Sequence, residues 1–491
     1  MEMTYADALS LLNSQRRLTR PIQAVSLSDR LPSSTTLRGK PSLSGIREWL
    51  QKLGHSEGEL NRLNVIHVAG TKGKGSTCAF INSFLKAHGE RTGFPRKVGL
   101  YTSPHLKVVQ ERVQIDSHPL SEEAFTKYIF EVWNGLGISD SSEGPRYLQL
   151  LMLVSVHAFI WEQVDVAIYE THSGGEYDAT NIFQKPLATG IATIGMDHIA
   201  QLGPTIENIA WHKSGIFKSQ VPAFSTVQEP AASAVLERRA TEKGTTLEFV
   251  NLNLALPTDV RTLGSEVQRI NASLALALTN SFLTQKAPRD TNALSAEDIR
   301  RGLDQFFWPG RFHQINDGKQ QWFLDGAHNE LSVGIAAQWF AEAIVETQSG
   351  TAPLIRILIF SHISKRDGAA LLSRIAKTLK NSKIQIKYVI LSTYVERQDG
   401  TIRSDQCLKP SKPLSPQMRD AYISAWKSVD PAVEISVEET IEGALNLARE
   451  IGERENGVQT LITGSLYLVG GALSLLERKE SSVGRRLEEV K

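Results

Sequence analysis

The sequence predicts an α/β protein of two domains built on mostly parallel sheets. Three observations carry this expectation. Short apolar segments alternate with segments of helical length along most of the chain. A glycine-rich loop, Gly70-Thr71-Lys72-Gly73-Lys74-Gly75-Ser76-Thr77, stands between the first apolar segment and a helix. A second series of the same kind begins near Trp308. Strands separated by helices are joined by crossovers and run parallel. In such sheets ligands sit outside the carboxyl ends of the strands.

The elements follow in order. The first residues read as a short amphipathic helix, and residues 20–43, rich in Pro, Ser, Thr and Arg, as a loop. Residues 64–69 form a strand and 74–88 the helix behind the glycine loop. A strand at 98–102 precedes a helix at 121–136, where Ser121 suits the N-cap and Glu122 and Glu123 suit the positive helix end. An apolar helix at 146–162 leads into a strand at 164–170, and a further buried strand covers 187–195. Residues 251–267 and 286–296 read as irregular, with a helix at 267–283 between them. The second series has strands at 322–324, 355–360, 388–392, 433–437 and 460–463. The expected domains are 1–307 and 308–491, and the tail after Leu476 reads as charged and solvated.

Composition narrows the function classes. Among 491 residues, 41% are hydrophobic and 22% charged, which suits a globular enzyme. The formal net charge of +1 gives no bulk attraction to nucleic acid or anionic membrane. Two cysteines, Cys78 and Cys407, lie far apart without CxxC spacing, so a reducing compartment fits better than a disulfide framework. The N-terminus lacks the apolar run of a secretory signal, and Glu2 and Asp7 argue against a mitochondrial presequence. No membrane span is expected.

The chemistry-bearing residues fall after the strands. Glycines let backbone N–H groups approach phosphate, and the helix N-terminus adds positive charge. Lys74 can reach β- and γ-phosphates, and Ser76 or Thr77 a magnesium shell. The loop departs from GxxxxGK[ST], because Val68 replaces the first glycine and Gly75 separates Lys74 from Ser76. Taken alone, it also reads as an ordinary glycine-rich turn. Ser103 follows the next strand and offers a hydroxyl. Glu170 ends an apolar strand, where a carboxylate is costly unless paired or bound to a cation; magnesium binding and a solvated salt bridge are both open. His198 follows a strand, within Gly195-Met196-Asp197-His198. Lys213 reads as an ordinary cation or a modified lysine. In the second series, Arg311 could stack on a base or pair with phosphate, Asp325 could bind ribose or tune a histidine, and His328 could donate to the γ-phosphate. A turn and a helix N-cap are the plainer readings of these three.

Together these segments resemble the folylpolyglutamate synthase family of the Mur-ligase superfamily. The similarity runs from YADAL at 5–9 through VAGTKGKGSTCAF, GLYTSPHL, GGEYDATN, GMDH, ENIAWHKSGIFK, WPGR and LDGAHN to TGSLYLVGGAL at 463–473. The spelling GTKGKGST and the segment SEEAFTKY at 121–128 resemble eukaryotic members. The resemblance implies a Mur-ligase-like P-loop domain at 1–307. It also implies a smaller Rossmann-like domain at 308–491 that closes the active site and binds the amino acid. It implies a reaction: ATP phosphorylates a folate γ-carboxylate, and the amine of L-glutamate attacks the acyl phosphate. Amide, ADP and phosphate are the products.

By motif, Gly70, Thr71, Lys72, Gly73, Lys74, Gly75, Ser76 and Thr77 would hold the ATP phosphates. Ser103, Glu170 and His198 would hold Mg2+. Asn271, Arg311 and Asp325 match nucleotide contacts. Lys74, Lys213 and His328 would be catalytic, with Lys213 matching a lysine that can be carbamylated. The implied cofactors are ATP and Mg2+, with a monovalent cation such as K+ and a carbamylated Lys213 as further implications. The implied partners are a folate-like acid, L-glutamate and ATP, with a monomeric chain in the cytoplasm and a mitochondrial pool.

Two segments depart from the family pattern. Glu170-Thr171-His172-Ser173-Gly174-Gly175 stands where the family often reads Glu-Val-Gly-x-Gly-Gly. His172 is then a local hydrogen-bonding replacement or a residue that reshapes the carboxylate pocket. The segment from Phe360 to Asp367 lacks the Asn often found after its Phe. These departures keep a second acid in view: an amide ligase that joins a non-folate carboxylate to an amino acid.

Overall fold

A computed structural model describes residues 3–16, 42–138, 144–346, 354–363, 367–401 and 413–488. Most of the loop expected at 20–43, Cys407 and residues 364–366 lie outside the described residues. The chain divides into two compact units, one of residues 1–105 and 110–307, the other of Leu106–Val109 and Trp308–Lys491.

The first unit is built on an eight-stranded sheet. Its strands are β1 (Ile66–Ala69), β2 (Val98–Tyr101), β3 (Val113–Ile115), β4 (His118–Pro119), β5 (Val166–Glu170), β6 (Ala188–Ile191), β7 (Ala223–Thr226) and β8 (Leu247–Val250). The order is β4-β3-β2-β5-β1-β6-β7-β8. The six strands from β2 to β8 in that order run parallel, while β3 and β4 add an antiparallel edge. β1 is central and buried throughout, as a strand covered on both faces must be. Val68 of β1 sits opposite Glu170 of β5 and Gly190 of β6, and Tyr101 of β2 sits opposite Tyr169 of β5. The carboxyl ends of β2, β5, β1 and β6 therefore meet along one edge.

Local chemistry explains the helix positions. The helix Lys74–Thr92 opens directly behind the glycine loop and packs against Glu266–Lys286. Ser121 caps Glu122–Leu136 by accepting from the Ala124 N–H. Tyr147–Trp161 is buried on every side from Gln149 to Phe159, so its apolar residues show no stripe.

Several strands are shorter than their apolar runs. β5 begins at Val166 rather than 164 because Gln163 turns at φ 54°. β1 begins at Ile66 because Asn64 turns at φ 47°. β6 ends at Ile191 rather than 195, because Thr193 and Gly195 bond the glycine loop instead. The units β7–Pro230–Lys243–β8 and the helix Ala296–Asp304 extend the pattern into regions without an expected element.

In the second unit the strands are β9 (His313–Asp317), β10 (Gln320–Asp325), β11 (Ile355–Phe360), β12 (Tyr388–Leu391), β13 (Glu434–Val437) and β14 (Val458–Thr463). Their order is β13-β12-β11-β14-β10-β9. All pair in parallel except β9, a strand the periodicity did not predict, which returns through a tight turn with Gly318 at φ 59°. Strand residues alternate between two cores. Phe323, Leu358, Phe360 and Val389 face the helices Glu330–Glu346, Gly368–Asn381 and Pro416–Lys427. Trp322, Leu324, Ile357 and Ile359 face Ile441–Arg454 and the last helix. That helix runs Leu466–Glu488 and so continues into the charged tail after Leu476. Among the described residues, no helix is long and apolar enough to cross a membrane.

Candidate active site

The glycine loop is shaped by its neighbours. A Cβ at Gly70 would meet the Ala192 Cβ at 2.9 Å, and a Cβ at Gly73, where φ is 82°, would run into the Asn271 side-chain oxygen. Only glycine fits at Gly73 without strain. The Thr71 and Lys72 N–H groups donate to the Thr193 carbonyl at 2.9 and 3.1 Å. The Thr71 hydroxyl donates to the Gly195 carbonyl at 3.0 Å, and the Lys72 ammonium lies 3.5 Å from Asp197. Sequence reasoning assigned no role to Asp197, although it sits beside His198 in the same motif. The loop is thus held against the chain leaving β6, and the helix beginning at Lys74 points its N-terminal N–H groups into it.

Glu170 ends β5 and is 4% exposed. Its Oε2 accepts from the Ser103 N–H at 3.0 Å, and its Oε1 lies 3.6 Å from the Lys74 Nζ. The carboxylate buried at this strand end is therefore paired, as burial requires. Elsewhere in this unit Thr77 Oγ1, Thr171 Oγ1 and Asn271 Oδ1 are buried without a hydrogen-bond partner.

Lys213 closes the helix Ile206–Lys213, which Thr205 caps through the Asn208 N–H. Its Nζ donates to the Gly70 carbonyl at 2.6 Å. Burial, and then the charge of Lys74, push its pKa well below that of an ordinary lysine. The Gly174-Gly175 turn lies on this helix end: a Cβ at Gly175 would meet the Lys213 carbonyl oxygen at 2.5 Å and that of His212 at 2.6 Å. His198 adopts a left-handed backbone, φ 51°, at the head of the short helix Ile199–Leu202, and its N–H donates to Asp197 at 2.8 Å.

Arg311, Asp325 and His328 lie in the second unit. Asp325 ends β10 and accepts from the Phe312 N–H at 3.1 Å and the Ala327 N–H at 2.9 Å. Arg311 donates to the Gly310 carbonyl at 2.9 Å. The His328 Nδ1 donates to the Gly326 carbonyl at 2.9 Å, which fixes the ring and its tautomer. Nearby, His362 Nδ1 bridges β11 to β14 through the Gly464 carbonyl at 2.8 Å.

Among the described residues, no cluster of three or more His, Cys, Asp or Glu is placed to hold a metal. Glu170 and Ser103 supply a carboxylate and a hydroxyl, oxygen donors that suit a hard cation keeping several of its waters. The residues present fit magnesium on that chemistry.

The fold and this edge of strand ends define a two-domain, Mur-ligase-like protein. In fold, the chain is similar to Mycobacterium tuberculosis folylpolyglutamate synthase complexed with ADP, at TM-score 0.71 and 21% identity, covering 96% of this chain and 98% of that one. No family model matches the chain. In sequence, it is 38% identical over 497 residues to a folylpolyglutamate synthase of Neurospora crassa, covering 97% of this chain and 92% of that protein. A probable folylpolyglutamate synthase of Schizosaccharomyces pombe is 37% identical, with coverage of 97% and 94%. The chain belongs to the folylpolyglutamate synthase family.

Proposed function

We propose that this protein is an ATP-dependent ligase that adds L-glutamate to the γ-carboxylate of folate and tetrahydrofolate polyglutamates. The observation that carries the chemistry is the pairing of Lys74 with Glu170 at the head of the glycine loop. Full-length similarity to folylpolyglutamate synthases supports the substrate, and the ADP complex of the M. tuberculosis protein supports the nucleotide.

Residues 70–77 cradle the ATP phosphates with backbone N–H groups, and Lys74 reaches the transferring phosphoryl group. In this reading Asn271, Arg311 and Asp325 contact the nucleotide, while His328 stands close to the phosphates. Glu170, Ser103 and His198 would hold magnesium, which when bound neutralises charge developing on the phosphoryl oxygens. The folate γ-carboxylate accepts the phosphoryl group, and the glutamate amine displaces phosphate from the acyl phosphate. Water must be kept out until the amine attacks, since hydrolysis would waste the intermediate.

Further roles belong to the same reading. Burial disfavours the charged form of Lys213, and the neutral amine is the form that would react with carbon dioxide. A carbamate formed there would be anionic and could hold a second magnesium. A monovalent cation such as K+ would assist. The domain at 308–491 would bind the amino acid and close over the acid. A monomer working in the cytoplasm, with a mitochondrial pool, completes the reading.

A phosphate-release assay tests it. Turnover that requires both tetrahydrofolate and L-glutamate is expected. Turnover supported only by a different acid would overturn the substrate while leaving the ligase chemistry standing.

A further inference from the structure

Beside the Lys74–Glu170 pair lies a chain of buried side chains that the reaction as described does not use. Tyr101, the last residue of β2, is fully buried, and its hydroxyl meets the His172 Nε2 at 2.7 Å. On the other side of the ring, the His172 Nδ1 lies 3.3 Å from Asp178 Oδ1. The His172 side chain is 6% exposed and that of Asp178 is 3%. Asp178 in turn accepts the Ser173 N–H at 2.9 Å, the Thr180 N–H at 3.0 Å and the Thr180 hydroxyl at 2.8 Å. The Thr180 oxygen is 2.9 Å from the Nε2 of His67, on β1.

The hydrogens in this chain can be placed. The Thr180 hydroxyl donates to Asp178, so its oxygen accepts from His67. Burial pushes His67 to about 3, so that ring is neutral and carries its proton on Nε2. Burial by itself would raise the Asp178 carboxyl, but the His172 ring and the Ser173 and Thr180 N–H groups outweigh it and hold Asp178 ionised. His172 turns its Nδ1 toward this carboxylate, 3.3 Å away. Tyr101 is pushed far above the usual phenol range by burial and keeps its proton.

This chain crosses three neighbouring strands, β2, β5 and β1. Tyr101 is two residues before Ser103, and His172 is two residues after Glu170. The Ser103 N–H already donates to Glu170. The turn leaving β5 is thus clipped to the chain leaving β2 at two points, the carboxylate of Glu170 and the ring of His172. Asp178 anchors the ring from behind and ties it, through Thr180, to the strand that carries the glycine loop.

We infer that His172 is a positioning residue: held between Tyr101 and Asp178, it fixes the turn after Glu170 and so sets that carboxylate against Ser103 and Lys74. The inference deepens the proposed function and rests on the reading of Glu170 as the magnesium carboxylate. The ring is buried between its two partners, so it acts through Glu170 rather than by touching substrate. Groups that orient a metal-binding carboxylate typically change metal affinity by about tenfold or more when removed.

The test compares Tyr101→Phe, His172→Ala, the double variant and Glu170→Gln in the full chain. The readout is the magnesium concentration that gives half-maximal phosphate release, alongside kcat and the KM for L-glutamate. His172→Ala and Tyr101→Phe are expected to raise the magnesium requirement about tenfold and lower kcat at limiting magnesium, with the KM for L-glutamate unchanged. The double variant should be no worse than the worse single one, because both break the same link. If Glu170→Gln leaves the magnesium requirement as in the unsubstituted protein, the reading of Glu170 fails and this inference fails with it. If Glu170→Gln raises it and the other two variants do not, the inference alone is overturned. Additive effects of Tyr101→Phe and His172→Ala would also overturn it. Should His172→Ala not fold, Tyr101→Phe, which removes a single oxygen, decides the matter.

Discussion

The Nζ of Lys213 donates to the carbonyl oxygen of Gly70 at 2.6 Å, joining a helix end to the first residue of the glycine loop across 143 positions of sequence. The contact places a buried lysine with a strongly depressed pKa directly against the glycine loop.

Lys213→Ala should lower kcat by about 100-fold or more, the scale seen when one positioned electrostatic group is removed from a reacting centre. If the working form is a carbamate, short carboxylic acids added to this variant should restore part of the rate. Intact mass spectrometry of the unsubstituted protein in bicarbonate should then show one carbamate. Full activity of the variant would remove Lys213 from the site.

Glu170→Gln keeps the shape of the side chain and removes its charge. Magnesium-dependent turnover should fall sharply, while the far-ultraviolet circular dichroism and the melting temperature stay near those of the parent. Near-normal activity would count against the role of Glu170 as a ligand.

Two glycines separate a steric cost from a conformational one. Gly175→Ala would push a methyl group against the backbone carbonyls of His212 and Lys213, neither of which can swing aside. It should cost about 1–3 kcal/mol of stability and displace Lys213. Gly93 also has positive φ, 82°, but nothing lies within 4 Å of its missing Cβ. Gly93→Ala should cost only the backbone strain, about 1 kcal/mol, with activity retained. Calorimetric melting and turnover of both variants check the contrast.

Asp298 gives a pH-dependent prediction away from the site. It accepts from Arg91 Nε and Nη2 at 2.7 Å each, from the Ser295 N–H at 2.9 Å and from His88 at 3.1 Å. Burial acts to raise its pKa, but these bonds outweigh burial and hold it below the usual carboxylate range. Its stabilising contribution is therefore complete above the unfolded pKa of about 3.9 and is lost as pH falls through the lower folded value. Asp298→Asn should cost about 2–3 kcal/mol between pH 5 and 7, and the gap to the parent should narrow below pH 4. Urea unfolding at several pH values measures the gap; a gap that does not change with pH would refute the account.

Local patterning accounts for what was legible. The apolar run at 355–360 is the strand Ile355–Phe360, and Ser121 caps its helix, because alternation and capping are set by residues within a few positions of each other. Boundaries failed where a distant partner intervened. β6 stops four residues early because Thr193 and Gly195 bond Thr71 and Lys72 rather than a neighbouring strand. β9 was missed because His313–Asp317, at the sheet edge, is only partly buried and lacks an apolar run. At His172 the ring meets the Tyr101 hydroxyl, 71 positions away in the chain, and faces Asp178, contacts that no local pattern announces.

The order of motifs along the chain, the glycine loop between strand and helix and the family to which the protein belongs were all readable from residues 5–473 as written. Which of those motifs touch one another was not. Parallel strands need long crossovers, so residues far apart in the chain reach the same sheet edge, and the order β2-β5-β1-β6 sets who meets whom. That order brings Ser103 to Glu170, Glu170 to Lys74 and Lys213 to Gly70. No periodicity encodes it, because strand adjacency follows from how the helices pack over the whole sheet, and that packing is a property of the folded chain.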